Sequence, residues 1–225
     1  MFYERTGLDL AAALPDRRRR ARVQFRTQRR TAERVALLGE VVDLVKPEEV
    51  LYHVEGWVRT GRKAVVANHN LHSLYLVRRD PSLRRFFQRA DLVQLDSTPL
   101  VWFGRLIGLS SRPFHRCTYL DWRSHFWSLA NREKWRVMYV GGAPGVAEQA
   151  ARRLSSDSSS ATIAVLDGYF DATAGSSDNT EVLAAVNDFQ PNILFVGMGM
   201  PRQETWIADN IDALPSAVIL SVGAA

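Results

Sequence analysis

Short apolar runs alternate with amphipathic stretches along most of the chain. Those at 64–67, 137–140, 163–166, 192–196 and 218–222 have the length and aliphatic content of buried strands, and residues 91–96 alternate towards another that ends on Asp96. Between them the spacing is helical. Val50, Leu51, Val54, Trp57 and Val58 share a face of a helix that Pro47, Glu48 and Glu49 open and Gly61 closes, with His53 off that face at the surface. Helices are also expected over 74–80, 81–89, 146–154 and 180–189, through Leu100, Val101, Phe103, Leu106 and Ile107, and around Phe126, Trp127 and Leu129. Residues 35–45 predict a strand or strand pair interrupted at Gly39-Glu40. Strands alternating with helices in this way predict an α/β fold, a Rossmann-like and mostly parallel sheet covered by helices in a single domain.

Composition narrows this picture. With 225 residues, 46% of them hydrophobic, the chain can bury one large core. Its single cysteine, Cys117, excludes an intrachain disulfide, and no apolar run reaches the 18 residues of a membrane span or follows a basic start like a signal peptide. The expected compartment is the cytoplasm. The net charge of +5 resides in residues 1–34, which hold ten arginines and four acids, while the rest of the chain has 19 basic and 20 acidic residues. The expected organisation is therefore a basic arm over 1–34 and a domain over 35–225. The arm reads either as a solvated extension or as a segment drawn to anionic lipid at the inner face of the membrane. Nucleic acid is not an expected partner, because the body is not basic and only one aromatic lies among the arginines at 22–30.

Candidate chemistry gathers at strand ends, where open α/β sheets bind ligands. After the strand at 192–196, Gly197 and Gly199 permit close backbone approach, Pro201 suits a first helical turn, and Gln203 and Glu204 follow within it. Free N–H groups there would face an anion such as a diphosphate. Gly142, with Gly141 and Gly145, makes a second glycine turn, and Asp167-Gly168-Tyr169-Phe170 a third strand end. Three such turns on one sheet edge point to a nucleotide cleft. Their spacing is not the G-x-G-x-x-G of a dinucleotide site, and Asp157, in a serine-rich loop, is a poor ribose partner, so a Rossmann-type oxidoreductase ranks behind. Asn68, His69, Asn70 and His72 form a polar cluster after the strand at 64–67, where a metal pair at His69 and His72 is the lesser alternative because no Cys or carboxylate stands at ligand spacing. Asp96 is either a general base or the N-cap of the next helix. Arg116 can neutralise diphosphate charge, and Asp121 is either its companion or another cap.

GMGMPRQETWIADN at 197–210 resembles the GxGxPxQE-W motif of the WecG/TagA/CpsF glycosyltransferase family. ADLVQLDSTPLVWFGRLIG resembles that family's segment around its proposed general base, with Ser97 in place of the usual Gly and Pro99 in place of a second small residue. Asn68 to His72 is similar to its T-x-N-x-x-S/H stretch with Asn68 for Thr, and Arg116 to Asp121 to its R-V-x-G-x-D segment with Tyr119 for Gly. The resemblance covers roughly 35–225. It implies an inverting transfer of an N-acetylmannosamine-type sugar from a UDP-sugar to a polyprenyl-diphosphate-linked glycan, in cell-wall or exopolysaccharide synthesis. Asp96, Asn70, Arg116 and Gln203 would serve the chemistry, and Asn68, Gly142, Asp167, Gly168, Gly199, Pro201, Gln203 and Glu204 would hold the nucleotide-sugar. With no Asp-x-Asp motif, neither an obligatory metal nor another cofactor is expected. Family members continue past the equivalent of Ala225 with a basic and apolar segment thought to touch the membrane, so its lack is expected here. A non-catalytic nucleotide-sugar sensor is the alternative from another class, and association with a second copy of the chain stays open.

Overall fold

The computed structural model describes residues 33–156 and 160–223, so the arginine-rich stretch before Glu33 and Asp157 lie outside the described residues. Six parallel strands form one sheet in the order β4-β3-β8-β7-β5-β6. They are β3 (Ala64–His69), β4 (Leu92–Leu95), β5 (Arg136–Gly141), β6 (Thr162–Leu166), β7 (Ile193–Gly197) and β8 (Val218–Ser221). The runs in β7 and β8 are continuous rather than alternating because both strands are central and covered on both faces.

Side-chain alternation along the strands divides the interior into two cores. Val65, Ala67, Val93, Leu95, Met138, Val140, Leu194 and Val196 pack on one side with α3 (Pro81–Arg89) and α8 (Arg202–Asn210), where Phe86, Phe87, Trp206 and Ile207 fill the space. On the other side Val66, Leu92, Val137, Ile193, Phe195 and Leu220 meet α1 (Pro47–Arg59) and α5 (Tyr119–Arg132) through Val50, Val54, Trp122, Phe126 and Leu129. The remaining helices are α2 (Leu71–Leu76), α4 (Thr98–Leu106), α6 (Val146–Ser156) and α7 (Ser177–Phe189).

The segment at 35–45 is the two-strand alternative, a hairpin of β1 (Glu33–Leu37) and β2 (Glu40–Leu44). Arg34, counted with the arm, belongs to β1. Its guanidinium grips Asp43 through Nε and Nη2, each at 2.9 Å, and the second carboxylate oxygen of Asp43 accepts the Val93 N–H of β4 at 2.7 Å. A carboxylate only 2% exposed is tolerable because it is paired and hydrogen-bonded.

Several expected boundaries move for local reasons. β3 runs on to His69, and α2 starts at Leu71 rather than Leu74 because Asn70 caps it. α2 stops at Leu76, and Asp80 becomes the cap of α3. Pro201 stands at the cap of α8, after a cis Met200–Pro201 bond, rather than within its first turn. His53 is half-buried against the Trp57 ring at 5.5 Å, not simply a surface residue.

Candidate active site

Because all six strands run the same way, their C-terminal ends form a single rim, and the glycine turns and polar clusters meet there as expected. On the β3–β4 side the rim is extended by Arg116, which bridges alongside Leu95, the next N–H (Cys117) donating to the Leu95 carbonyl at 2.8 Å. The Asp96 N–H donates to the His69 carbonyl at 2.8 Å, tying the two strand ends together. Arg116 stands between two carboxylates, with Nη2 3.6 Å from Asp96 and Nη1 3.4 Å from Asp121.

Hydrogen bonding separates caps from candidates. The cap of α4 is Ser97, whose Oγ accepts from the Leu100 N–H at 3.4 Å, so Asp96 is not the cap and its side chain is 40% exposed. Asp121 does act in a cap, accepting from the Thr118 N–H at 2.9 Å at the start of α5. Asn70 Oδ1 accepts from the Ser73 N–H at 2.9 Å, while Asn68 Nδ2 donates to the Ser221 carbonyl of β8 at 2.7 Å. His69 is buried in β3, stacked on Phe87 at 3.7 Å, and burial lowers its pKa to about 3, whereas His72 is exposed. The two imidazoles therefore share no helix face. Among the described residues no group of three His, Cys, Asp or Glu side chains could hold a metal ion.

The glycine side of the rim is laced by backbone. The Gly142 N–H donates to the Gly197 carbonyl at 3.2 Å and the Gly168 N–H to the Gly142 carbonyl at 3.0 Å, so these two groups are engaged within the fold rather than free. A Cβ on Gly141 would lie 2.3 Å from the Gly197 oxygen, and one on Gly197 would lie 2.3 Å from the Tyr139 hydroxyl, which no real side chain tolerates. Gly199 has the positive φ of 78° that its turn needs. Asp167 accepts from the Tyr169 N–H at 2.8 Å in a local turn.

Gln203 and Glu204 point inward, not to an open cleft, and are 2% and 1% exposed. Gln203 Nε2 donates to Glu204 Oε1 at 2.6 Å, and Gln203 Oε1 accepts from the Gly223 N–H at 3.2 Å, just beyond β8. Glu204 Oε2 finds no hydrogen-bond partner among the described residues, and burial pushes the carboxyl up to about 7.

Below the rim lies a cavity of about 500 Å³. Its floor is one face of the sheet, formed by Val137 and Tyr139, Ile163 and Val165, Phe195 and, past β8, Val222. One wall is the stripe Tyr119, Arg123 and Trp127 on α5, the other Ala147, Ala150, Ala151 and Leu154 on α6. Asp96, Arg116, Thr118 and Gly142 line its rim end, which brings three of the sequence-derived candidates, Asp96, Arg116 and Gly142, to one opening. Sequence reading missed Tyr139, Arg123 and Trp127. The i, i+2 step from Val137 to Tyr139 and the i, i+4 steps through Tyr119, Arg123 and Trp127 are the signals that place them.

A parallel, helix-covered sheet with glycine turns and a half-exposed carboxylate along one rim is the architecture of open, Rossmann-like α/β proteins, which bind ligands at the carboxyl ends of their strands. Within it, residues 35–225 match the Glycosyl transferase WecG/TagA/CpsF family, and the chain belongs to that family. It is similar to the N-acetylglucosaminyldiphosphoundecaprenol N-acetyl-beta-D-mannosaminyltransferases of Staphylococcus aureus strains NCTC 8325 / PS 47 and COL, each 24% identical over 172 residues. These alignments cover 72% of this chain and 65% of each relative, so the match spans less than two thirds of the relatives' length. Among the described residues no helix is long and apolar enough to cross a membrane.

Proposed function

We propose that the chain is an inverting glycosyltransferase that moves an N-acetylmannosamine-type sugar from a UDP-sugar to a polyprenyl-diphosphate-linked glycan in bacterial cell-wall or exopolysaccharide synthesis. The relatives' name, an N-acetylmannosaminyl transfer to a diphosphoundecaprenol-linked N-acetylglucosamine, supports the donor sugar and the acceptor. The observation that carries the reading is Asp96, half-exposed at the cavity rim, relieved of capping by Ser97 and steered by Arg116.

In the proposed step the Asp96 carboxylate takes the proton of the acceptor hydroxyl, whose oxygen forms a bond to the anomeric carbon as the bond to UDP breaks. UDP departs with the electron pair and the configuration inverts. Arg116 and the turn at Gly199 offset the charge that grows on the leaving diphosphate, while Gly142 and Gly168, whose own N–H groups are taken up within the fold, let the backbone approach it closely. Asn70 serves the chemistry and Asn68 the nucleotide-sugar, while Gln203, clamped by Glu204, holds the strand-end segment at Gly223 in place. The step uses the chain's own residues and calls on no cofactor. We place the chain in the cytoplasm, at the inner face of the membrane, with the arm at 1–34 meeting anionic lipid.

Calorimetry with UDP and with NAD tests the assignment. UDP is expected to bind and NAD is not, and tight binding of NAD with none of UDP would overturn it.

A further inference from the structure

The cavity between α5 and α6 encloses about 500 Å³ and is lined mostly by apolar side chains. Its polar wall atoms are turned to one another: Trp127 Nε1 donates to the Tyr119 hydroxyl at 2.8 Å, and the Tyr139 hydroxyl donates to the Gly197 carbonyl at 3.3 Å. What remains facing the space is aliphatic or aromatic, from Val137, Ile163, Val165, Phe195, Leu154 and the alanines of α6. Charge comes from Asp96 and Arg116 at the rim end and from the exposed Arg123, one helical turn into the α5 wall.

Ligand pockets of this size commonly fix their occupant by a few polar groups set into the walls. Here the walls carry the Tyr119 and Tyr139 hydroxyls, each already holding one hydrogen bond. A nucleobase placed in the chamber would lose the water bound to its several carbonyl and N–H groups and find two phenol hydroxyls to replace it. Hydrocarbon loses nothing there and gains burial and dispersion contacts. The floor is a hydrogen-bonded sheet and α5 is pinned through the buried Trp122 and Phe126, so the floor and this wall are held in place.

We propose that this chamber receives the hydrocarbon of a polyprenyl diphosphate: the isoprene units nearest the diphosphate enter between α5 and α6, and the diphosphate stays at the rim beside Arg123. The assignment rests on the glycosyltransferase reading for its substrate class. It puts the acceptor, rather than the donor nucleoside, in the cavity that opens at Asp96.

The test titrates the full chain with farnesyl diphosphate and with inorganic diphosphate, followed by calorimetry and tryptophan fluorescence. Farnesyl diphosphate is expected to bind at least about tenfold more tightly, since every buried methylene adds to affinity, with an emission change that Trp127→Phe removes. Ala151→Phe projects a ring into the chamber and is expected to erase the preference for the farnesyl chain. Should circular dichroism find that variant unfolded, Ala150→Phe, nearer the exposed end of the same stripe, takes its place. Equal affinity for the two diphosphates, or a farnesyl preference that survives in a folded, chamber-filled variant, overturns the proposal. UDP titrated alongside keeps the two readings apart. UDP binding without a farnesyl preference removes the chamber assignment alone, while a farnesyl preference without UDP binding leaves the chamber and removes the glycosyltransferase reading. Loss of UDP binding on filling the chamber would give it to the nucleoside, which also overturns the proposal.

Discussion

At the ends of β3 and β4 the rim is made of side chains, Asn68, Asn70, Asp96 and Arg116, whereas at the ends of β5, β6 and β7 it is made of backbone, with glycines at 141, 142, 168, 197 and 199. The glycine half is explained to a large degree by packing: Gly141 and Gly197 are required by each other and by Tyr139, whatever ligand lies above them. The side-chain half is not. Ser97, Asn70 and Asp121 serve in helix caps, whereas Asp96 stands beside a cap rather than in one, its carboxylate 3.6 Å from Arg116. A glycine pattern is therefore weak evidence of function and strong evidence of close strand packing, while a carboxylate beside a cap, rather than in it, is the reverse.

The largest test of this contrast falls on Asp96. Asp96→Asn is expected to lower sugar transfer by about 10² to 10⁴, the usual contribution of a positioned base, with UDP affinity nearly unchanged. Melting should shift little, because a partly exposed ion pair such as that with Arg116 contributes about 0–1 kcal/mol. Transfer within about threefold of the unmodified chain would remove Asp96 from the mechanism.

Next comes Glu204, on the glycine side, whose burial makes stability depend on pH. Its folded-state pKa of about 7 lies above the ordinary 4.5, so the folded chain holds the proton more tightly. The stability this gives is complete below about pH 4.5 and is lost as pH rises through about 7, an effect on the order of 3 kcal/mol. Urea unfolding across that window should show the loss in the unmodified chain and a flatter profile in Glu204→Gln. Parallel profiles would sink the idea.

Gly197→Ala should then cost about 1–3 kcal/mol of stability through overpacking against Tyr139, and Tyr139→Phe in the same chain should recover part of it. If Gly197→Ala instead left the melting temperature intact and weakened only UDP binding, the glycine half would be functional rather than steric. The smallest effect is expected at Asn70→Ala, about 1 kcal/mol for a lost cap, read from thermal melts. A fall in transfer much beyond that loss would move Asn70 to the chemical side.

Much of the fold was legible because strand and helix periods differ and many boundaries carry their own chemistry: proline and acids opening α1, Pro81 opening α3, glycine turns after β5 and β7. The rim was legible for the same reason, since parallel strands deliver all their C-terminal ends together. What escaped were features fixed by distant partners. The inward turn of Gln203 and Glu204 depends on Gly223. The fate of Asn70 depends on which residue starts α2, and the chamber depends on two helix stripes meeting one sheet face. The family motif names the site candidates, and the three-dimensional arrangement divides them into caps, packing glycines and a partly exposed carboxylate beside Arg116.

The Asp43 carboxylate, introduced above as the anchor of the hairpin, has a second consequence at the level of many molecules in solution. β4 is an outer strand, and an outer strand with unpaired N–H groups is a template on which another chain can add. By placing a buried, arginine-held negative charge against the Val93 N–H, the hairpin occupies that template with a group no incoming strand can match. The same contact that orders residues 33–44 thus guards this side of the sheet against growing edge to edge into aggregates.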